Sequence, residues 1–233
     1  DLSLFFGQSS FSQYVVTRAS NAVVVDPEVD LTLLGPLGCG IQTGSGTVLN
    51  RLKPVVGESL VVFGCGAVGL SAIMAAKLTG CSQIIAVDIH ASRLALAGEL
   101  GATHQINGKE QDAVAVIKQI TGKGAHYAVE TTGVSAIVLQ AVHAVKPLGT
   151  VAIVGFTGDI TLNVQNDLMA EGKSLVGVIE GDAVPALFIP LLVQLYKQGK
   201  FPIDKLIARY PLADINQAFA DSASGKVIKP VVV

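Results

Sequence analysis

The stretch VVFGCGAVGL, residues 61–70, most constrains what this chain can fold into. It places Gly64, Gly66 and Gly69 in the spacing G-x-G-x-x-G directly after an apolar run. This spacing is typical of a turn that binds a dinucleotide, but it also occurs in turns that are only structural. The flanking sequence therefore has to decide between the two interpretations.

Strand-like and helix-like segments alternate on both sides of this turn. The segments SLVVFG, QIIAVD, AHYAVE and GTVAIVGF are largely apolar, and helical patterns follow at 67–79, 91–99 and 134–145. Strands that are apolar on both faces and separated by helices predict a parallel sheet covered on both sides. We therefore expect an α/β fold with a doubly wound, Rossmann-type parallel sheet over residues 42–180.

Each glycine of the turn has a separate use in a dinucleotide site. Gly64 permits the tight turn after the strand, Gly66 leaves space for a pyrophosphate, and Gly69 lets the helix pack close to the sheet. The helix then begins at Ala67 and Val68, where free N–H groups and the partial positive charge of the helix end favour phosphates. The turn and its flanks together favour the dinucleotide interpretation.

Asp88 stands nineteen residues after Gly69, at the end of the next apolar segment. A carboxylate there accepts the hydroxyls of an adenosine ribose and repels a 2′-phosphate, so it favours NAD over NADP. An S-adenosylmethionine-dependent methyltransferase also uses a glycine loop and an acid at this distance. Such enzymes usually carry an acidic residue just before the first glycine, where this chain has Val61-Val62-Phe63.

Charge and cysteine content favour a small-molecule partner and a cytoplasmic location. The 16 basic and 18 acidic residues give a net charge of −2, which argues against binding to nucleic acid or to an anionic membrane surface. The longest nearly uncharged run, residues 60–76, is short for a bilayer span, so no membrane segment is expected. The three cysteines, Cys39, Cys65 and Cys81, form no C-x-x-C pair, and an odd number fits a reducing compartment.

A longer pattern supports a specific family. The segment LLGPLGCGIQTGSGTVLN, residues 33–50, precedes GESLVVFGCGAVGLSAIMAAK after a short spacer, and together they resemble the zinc-dependent medium-chain alcohol dehydrogenases, with most similarity to the aryl-alcohol branch. The resemblance extends from GQSSFSQYV to GKVIKPVVV. It implies hydride transfer between a primary, benzyl-type alcohol and NAD, with a catalytic zinc that binds the alcohol oxygen.

The resemblance also implies roles for individual residues. Cys39 matches a ligand of the catalytic zinc, and Thr43 matches a residue beside the nicotinamide. Asp88 and Arg93 match contacts to the adenosine ribose. The remaining cofactor contacts that the family implies are Thr131, Thr132, Val154, Gly155, Phe156, Ile179, Glu180 and, at the pyrophosphate, Lys229.

The chain departs from the family pattern in its metal ligands. A catalytic zinc needs about three protein ligands, and only Cys39 matches one. The other ligands of the family belong to an N-terminal, β-rich GroES-like domain, and the four histidines at 90, 104, 126 and 143 have spacings that suit no zinc site. We expect this chain to hold no stoichiometric zinc and to be inactive without the N-terminal part.

The domain organisation follows from these patterns. Residues 1–41, with the β-prone pieces FSQYVVT and AVVVD, are expected to end the β-rich catalytic domain, 42–180 to form the NAD-binding domain, and 181–233 to return to the catalytic domain. A stand-alone NAD-binding or interaction module and a zinc-free quinone reductase of the same superfamily remain alternatives.

The segment GKSLVGVI, residues 172–179, is apolar and β-prone and lies near the end of the predicted sheet. It would leave an open sheet edge, which proteins usually protect. In the family this edge pairs with its copy across a two-fold axis, so the resemblance implies a homodimer or a dimer of dimers.

Overall fold

The structure is a computed structural model that describes residues 11–12 and 14–233. It divides into two compact units, one formed by residues 39–183 and the other by the segment that ends at Gly38 together with residues 184–233. Residues 1–10 and 13, which include parts of GQSSFSQYV and FSQYVVT, lie outside the described residues. The unit limits fall within a few residues of the predicted domain limits, whose catalytic and cofactor-binding roles stay predictions.

Residues 39–183 contain a six-stranded sheet in which every pair of neighbours is parallel. The strand order is β3-β2-β1-β4-β5-β6. The strands are β1 (Ser59–Phe63), β2 (Gln83–Asp88), β3 (His104–Asn107), β4 (Ala125–Glu130), β5 (Val145–Ile153) and β6 (Ser174–Gly177). The predicted Rossmann-type fold is confirmed, with β6 at one edge of the sheet.

Helices connect the strands and cover the sheet. They are α1 (Gly40–Gly46), which continues as a π-helix over Thr47–Leu52, then α2 (Ala67–Leu78), α3 (Ala91–Leu100), α4 (Ala113–Thr121) and α5 (Ser135–Ala144). The three helices predicted from periodicity begin and end within one or two residues of α2, α3 and α5. The short strand β3 and the helix α4 were not predicted.

The central strand β1 is buried along its whole length, which explains its continuous apolar sequence. Val61 and Phe63 lie in a core cluster with Ile117 of α4 and Val142 of α5. Val62 lies between Val61 and Phe63 on β1, so its side chain points to the opposite face, where it lies against Gly69 of α2. Helices therefore bury both faces of the strand that leads into the glycine turn.

The other unit contains helices α6 (Pro185–Lys197) and α7 (Ile215–Ala223) and a parallel pair of strands, β7 (Ile207–Tyr210) and β8 (Lys229–Val232). Charged contacts join its N-terminal and C-terminal segments. Nζ of Lys197 lies 2.5 Å from a carboxylate oxygen of Asp26, and the guanidinium of Arg209 lies 2.8 Å from Asp30. These exposed pairs link the two segments but contribute little stability each.

The β-prone pieces near the N-terminus do not form strands where the structure describes them. Residues 14–18 and 22–26 have no strand partner, and the side chains of Val16 and Val24 are exposed. β-Branched residues favour an extended conformation, but a strand is stable only when its backbone groups pair with a neighbour. The expectation of strands in these two pieces was therefore wrong for the described residues.

No helix in the described part of the chain is long and apolar enough to cross a membrane.

Candidate dinucleotide site

The strand order locates the candidate site. From β1 the chain proceeds to β2 and β3 on one side, whereas β4, β5 and β6 follow on the other side. The order therefore reverses between β1 and β4, and ligands of open parallel sheets bind at the carboxyl ends of the strands at such a reversal. The glycine turn leaves β1 at this point.

The backbone of the turn explains two of its glycines. Gly64 has a φ of +91°, which favours glycine, and a Cβ there would lie 2.6 Å from Oγ1 of Thr131. A Cβ on Gly66 would have no protein atom within 4 Å. The space beside Gly66 is thus open, directly before the first residue of α2, where a phosphate would meet the free N–H groups of the helix.

Gly69 has a packing role. A Cβ on this residue would collide with the backbone oxygen of Gly64 and lie 3.1 Å from a methyl group of Val62. The absence of a side chain lets the first turn of α2 approach the end of β1. This close approach aims the helix N-terminus at the space beside Gly66.

Asp88 ends β2 next to the turn. Its side chain is 8% exposed, and one carboxylate oxygen accepts a hydrogen bond of 2.6 Å from the N–H of Cys65. The other oxygen accepts from the N–H groups of Ile89 and His90 at 2.7 and 2.8 Å. A carboxylate has about four acceptor positions, so Asp88 is held in place and still able to accept from a ribose hydroxyl.

Arg93 lies in the first turn of α3, shortly after Asp88 in the chain. Its Nε is buried and has no hydrogen-bond partner among the described residues. A buried guanidinium nitrogen without an acceptor is costly, and an oxygen-rich ligand would satisfy it. This orphaned donor, the Asp88 carboxylate and the open space at Gly66 fit the adenosine and phosphate parts of a dinucleotide.

Cys65 and Cys81 are buried, as expected for packing residues. Burial raises the pKa of the Cys65 thiol far above its ordinary value, the Asp88 carboxylate raises it further, and the Arg93 charge lowers it. A thiol that stays protonated is a poor nucleophile and a poor metal ligand. Cys65 therefore contributes its backbone N–H rather than its sulfur to the site.

Glu130 is a candidate site residue that the sequence reasoning missed. It ends β4, is fully buried, and accepts hydrogen bonds from the N–H of Thr132 at 2.7 Å, from the Thr132 hydroxyl, and from the N–H of Gly133. Its backbone oxygen accepts from the N–H groups of Val154 and Gly155. An acid at the end of an apolar strand, the same signal that singled out Asp88, marks this position in the sequence.

Through these hydrogen bonds Glu130 connects the segment after β4 with the segment after β5, and further contacts surround it. Thr131 donates its hydroxyl to the backbone oxygens of Phe63 and Gly64 at 2.9 and 3.0 Å. A Cβ on Gly155 would collide with the backbone of Gly133. Phe156 is exposed and, with Gly155, lines a depression at the carboxyl end of β5.

Thr43 and Glu180 are in contact on the other side of the strand reversal from Asp88. Thr43 lies in α1, is 8% exposed and donates its hydroxyl to the Glu180 carboxylate at 3.3 Å. Ile179, the preceding residue, is exposed. Cys39 occupies the N-cap position of α1, makes no side-chain capping hydrogen bond and is exposed, four residues before Thr43.

The described residues do not by themselves fit a complete zinc site. Nowhere in residues 11–12 and 14–233 do three or more His, Cys, Asp or Glu side chains group so that they could hold a metal ion. Two histidines have other partners, since His126 contacts Ser59 and His143 lies 3.0 Å from Asp167. Lys229 begins β8 in the other unit, and its contact to a pyrophosphate stays a prediction.

Comparison with known families identifies the family to which this fold belongs. The family described as zinc-binding dehydrogenase matches residues 67–197, more than half of the chain. The chain belongs to this family. The resemblance seen in the sequence is thereby confirmed at the level of the zinc-binding dehydrogenases.

Individual members of the family are similar over nearly the whole chain. The solved structure of benzyl alcohol dehydrogenase from Acinetobacter calcoaceticus is 52% identical with a TM-score of 0.95, covering 98% of this chain and 64% of that one. An alcohol dehydrogenase zinc-binding domain protein from Burkholderia ambifaria is 52% identical with a TM-score of 0.94, covering 98% and 62%. Geraniol dehydrogenase of Castellaniella defragrans is 44% identical, covering 99% of this chain and 63% of that protein. The chain thus spans less than two thirds of the length of these relatives.

Proposed function

We propose that this chain is the cofactor-binding part of an NAD-dependent alcohol dehydrogenase that acts on primary, benzyl-type alcohols. The observation that carries the proposal is the open space beside Gly66, bordered by the N-terminus of α2 and by the fixed carboxylate of Asp88. Because the chain spans less than two thirds of its relatives, the activity is proposed for the whole protein.

The residues present have defined tasks in this reaction. The N–H groups at the start of α2 bind the pyrophosphate, Asp88 accepts from the adenosine ribose, and the Nε of Arg93 donates to the same nucleotide. When bound, NAD would supply the hydride acceptor for oxidation of the alcohol to the aldehyde, a reaction that moves a hydride from the carbinol carbon and releases one proton. Thr43, beside Glu180, would lie on the nicotinamide half, where Phe156 and Ile179 present exposed apolar side chains.

The substrate class is supported by the names of two relatives. One is called a benzyl alcohol dehydrogenase and the other a geraniol dehydrogenase, and in both alcohols the carbinol carbon adjoins an sp² carbon. The exposed apolar side chains of Phe156 and Ile179 suit a flat, apolar group on the nicotinamide side.

Two measurements test the proposal. The chain itself should bind NADH, seen as a change in nicotinamide fluorescence, and failure to bind would contradict the cofactor assignment. The whole protein should oxidise benzyl alcohol with NAD at a higher kcat/KM than ethanol, and the reverse order would contradict only the aryl assignment. Geraniol belongs in the same panel.

Cys39 is proposed as one zinc ligand of the whole protein. The described residues hold no complete zinc site, so the test uses the whole protein. There Cys39→Ser should lower the zinc content and remove most activity, because it removes one of about three protein ligands. NADH binding should remain nearly unchanged, because Asp88 and the glycine turn hold the dinucleotide. An active variant would overturn the assignment of Cys39.

We also propose that the protein forms a homodimer or a dimer of dimers. Strand β6 is the edge of the six-stranded sheet, and its residues Leu175 and Val176 are only half-buried. An unpaired edge of this kind can extend into the sheet of a second copy.

A further inference from the structure

The carboxylate of Glu180 is held against helix α1. One of its oxygens accepts a hydrogen bond of 3.0 Å from Nε2 of Gln42 and another of 3.3 Å from the hydroxyl of Thr43. Gln42 and Thr43 are buried, so the carboxylate is bound to two side chains that have little freedom to move. This contact joins residues that are 137 and 138 positions apart in the chain.

A strained turn formed by residues 180–182 places Glu180 against α1. Glu180, Gly181 and Asp182 have φ values of +50°, +68° and +49°, a left-handed conformation that is unfavourable for the two acids. Helix contacts hold the turn, because the amide of Asn50 donates to the backbone oxygen of Gly181 and Arg51 lies 2.6 Å from the Asp182 carboxylate. A strained conformation that persists under several contacts is characteristic of functional sites.

The topology places this carboxylate on the nicotinamide half of the proposed site. Glu180 follows β6, and the N–H of Val178 still bonds to Ile153 at the end of β5. Asp88 ends β2, on the opposite side of the strand reversal. A dinucleotide whose adenosine lies over β2 and whose phosphates lie at Gly66 must extend its second nucleotide over β4, β5 and β6.

We propose that Glu180 sets the relative affinity for the two redox forms of the cofactor, an inference that rests on the proposed function. The oxidised nicotinamide ring carries a positive charge and the reduced ring is neutral. A fixed, partly buried carboxylate on that side attracts the oxidised ring and has little effect on the reduced one. Glu180 thereby stabilises the complex with NAD⁺ and shifts the equilibrium on the protein towards aldehyde reduction.

The matched variant is Glu180→Gln, which removes the charge but keeps an oxygen that can accept from Gln42 and Thr43. In this chain the Kd for NAD⁺, measured by calorimetry, should rise about three- to tenfold, while the Kd for NADH, measured by fluorescence, should stay within about twofold. Equal changes in both constants, or no change in either, would overturn the proposal.

A control separates charge from loosening of the turn. Asp182→Asn removes a second carboxylate from the same turn, but that carboxylate faces Arg51 rather than Thr43. Asp182→Asn should change the dissociation constants for NAD⁺ and NADH by the same factor. A selective loss of NAD⁺ affinity in Asp182→Asn, rather than in Glu180→Gln, would overturn the role of Glu180. A native chain that binds neither redox form would contradict the proposed function itself.

Discussion

A carboxylate oxygen of Asp88 lies 2.6 Å from the backbone nitrogen of Cys65, the residue between Gly64 and Gly66. This hydrogen bond ties the end of β2 to the turn after β1, so the proposed ribose site and the proposed phosphate site move together. Two N–H groups on the far side of the carboxylate prevent it from rotating away.

Asp88 should make the chain prefer NADH to NADPH by more than about tenfold, because its fixed charge would face the 2′-phosphate at close range. Fluorescence titration with both cofactors measures the ratio. Asp88→Asn retains an acceptor oxygen and should reduce the ratio towards one. Equal affinities in the native chain would mean that Asp88 does not contact the ribose.

Gly66→Val should weaken binding of NADH by about 100-fold or more, since the branched side chain would occupy the open space where the pyrophosphate is proposed to bind. The melting temperature should change little, because a Cβ at this position meets no protein atom within 4 Å. Gly35→Val is a matched control, since Gly35 is exposed and equally open. Normal NADH binding by Gly66→Val would exclude this turn as the phosphate site.

Leu148→Gly should stabilise the chain by about 1 kcal/mol. Leu148 has a φ of +64° and is 78% exposed, so it bears the cost of a left-handed backbone without burying its side chain. The free energy of unfolding in urea measures the gain. Leu148→Ala keeps the cost of the left-handed backbone and should show no comparable gain; equal values for both variants would contradict the explanation.

His126 should make the chain less stable in acid. Its Nδ1 accepts hydrogen bonds from the N–H and hydroxyl of Ser59 at 3.1 and 2.8 Å. Burial is the main cause that lowers the pKa of His126, and the nearby charge of Lys146 lowers it further, whereas the Glu58 carboxylate opposes this shift. The unfolded chain therefore binds a proton more readily, and stability falls as the pH drops below the ordinary histidine pKa of about 6.5.

Urea unfolding between about pH 7.5 and pH 5 measures this effect, with the variant His126→Asn as reference. The amide can still accept from Ser59 but does not titrate, so the stability advantage of the native chain over the variant should shrink as the pH falls. An advantage that is the same at every pH would contradict the role of His126.

The chain should associate through β6, and light scattering should give the mass of a dimer or a tetramer. Val176→Lys places a charge on the half-buried edge strand and should shift the mass towards that of the monomer. Ser174→Lys adds the same charge at an exposed position of the same strand and is the matched control, with a smaller expected shift. A native chain that is monomeric at high concentration would contradict the dimer.

Local sequence determined the centre of this fold. The apolar run of β1, the glycine spacing, the helix after it and the acid at the end of β2 are all neighbours in the sequence, and each signals its conformation through short-range sterics and burial. The same reasoning missed β3, whose four residues include only one that is buried, because so short a strand has no clear periodicity. It also missed Glu130, since the signal of an acid ending a strand was used only once.

Only the tertiary structure decided which distant residues meet. The sequence identified Thr43 and Glu180 separately through a resemblance, but their hydrogen bond spans 137 positions and depends on three consecutive left-handed residues that no local preference predicts. In the same way, AVVVD has the composition of a strand and forms none, because pairing requires a partner strand that composition cannot supply. Short-range preferences therefore specified the elements around the glycine turn, while long-range packing and backbone pairing specified the contacts between them.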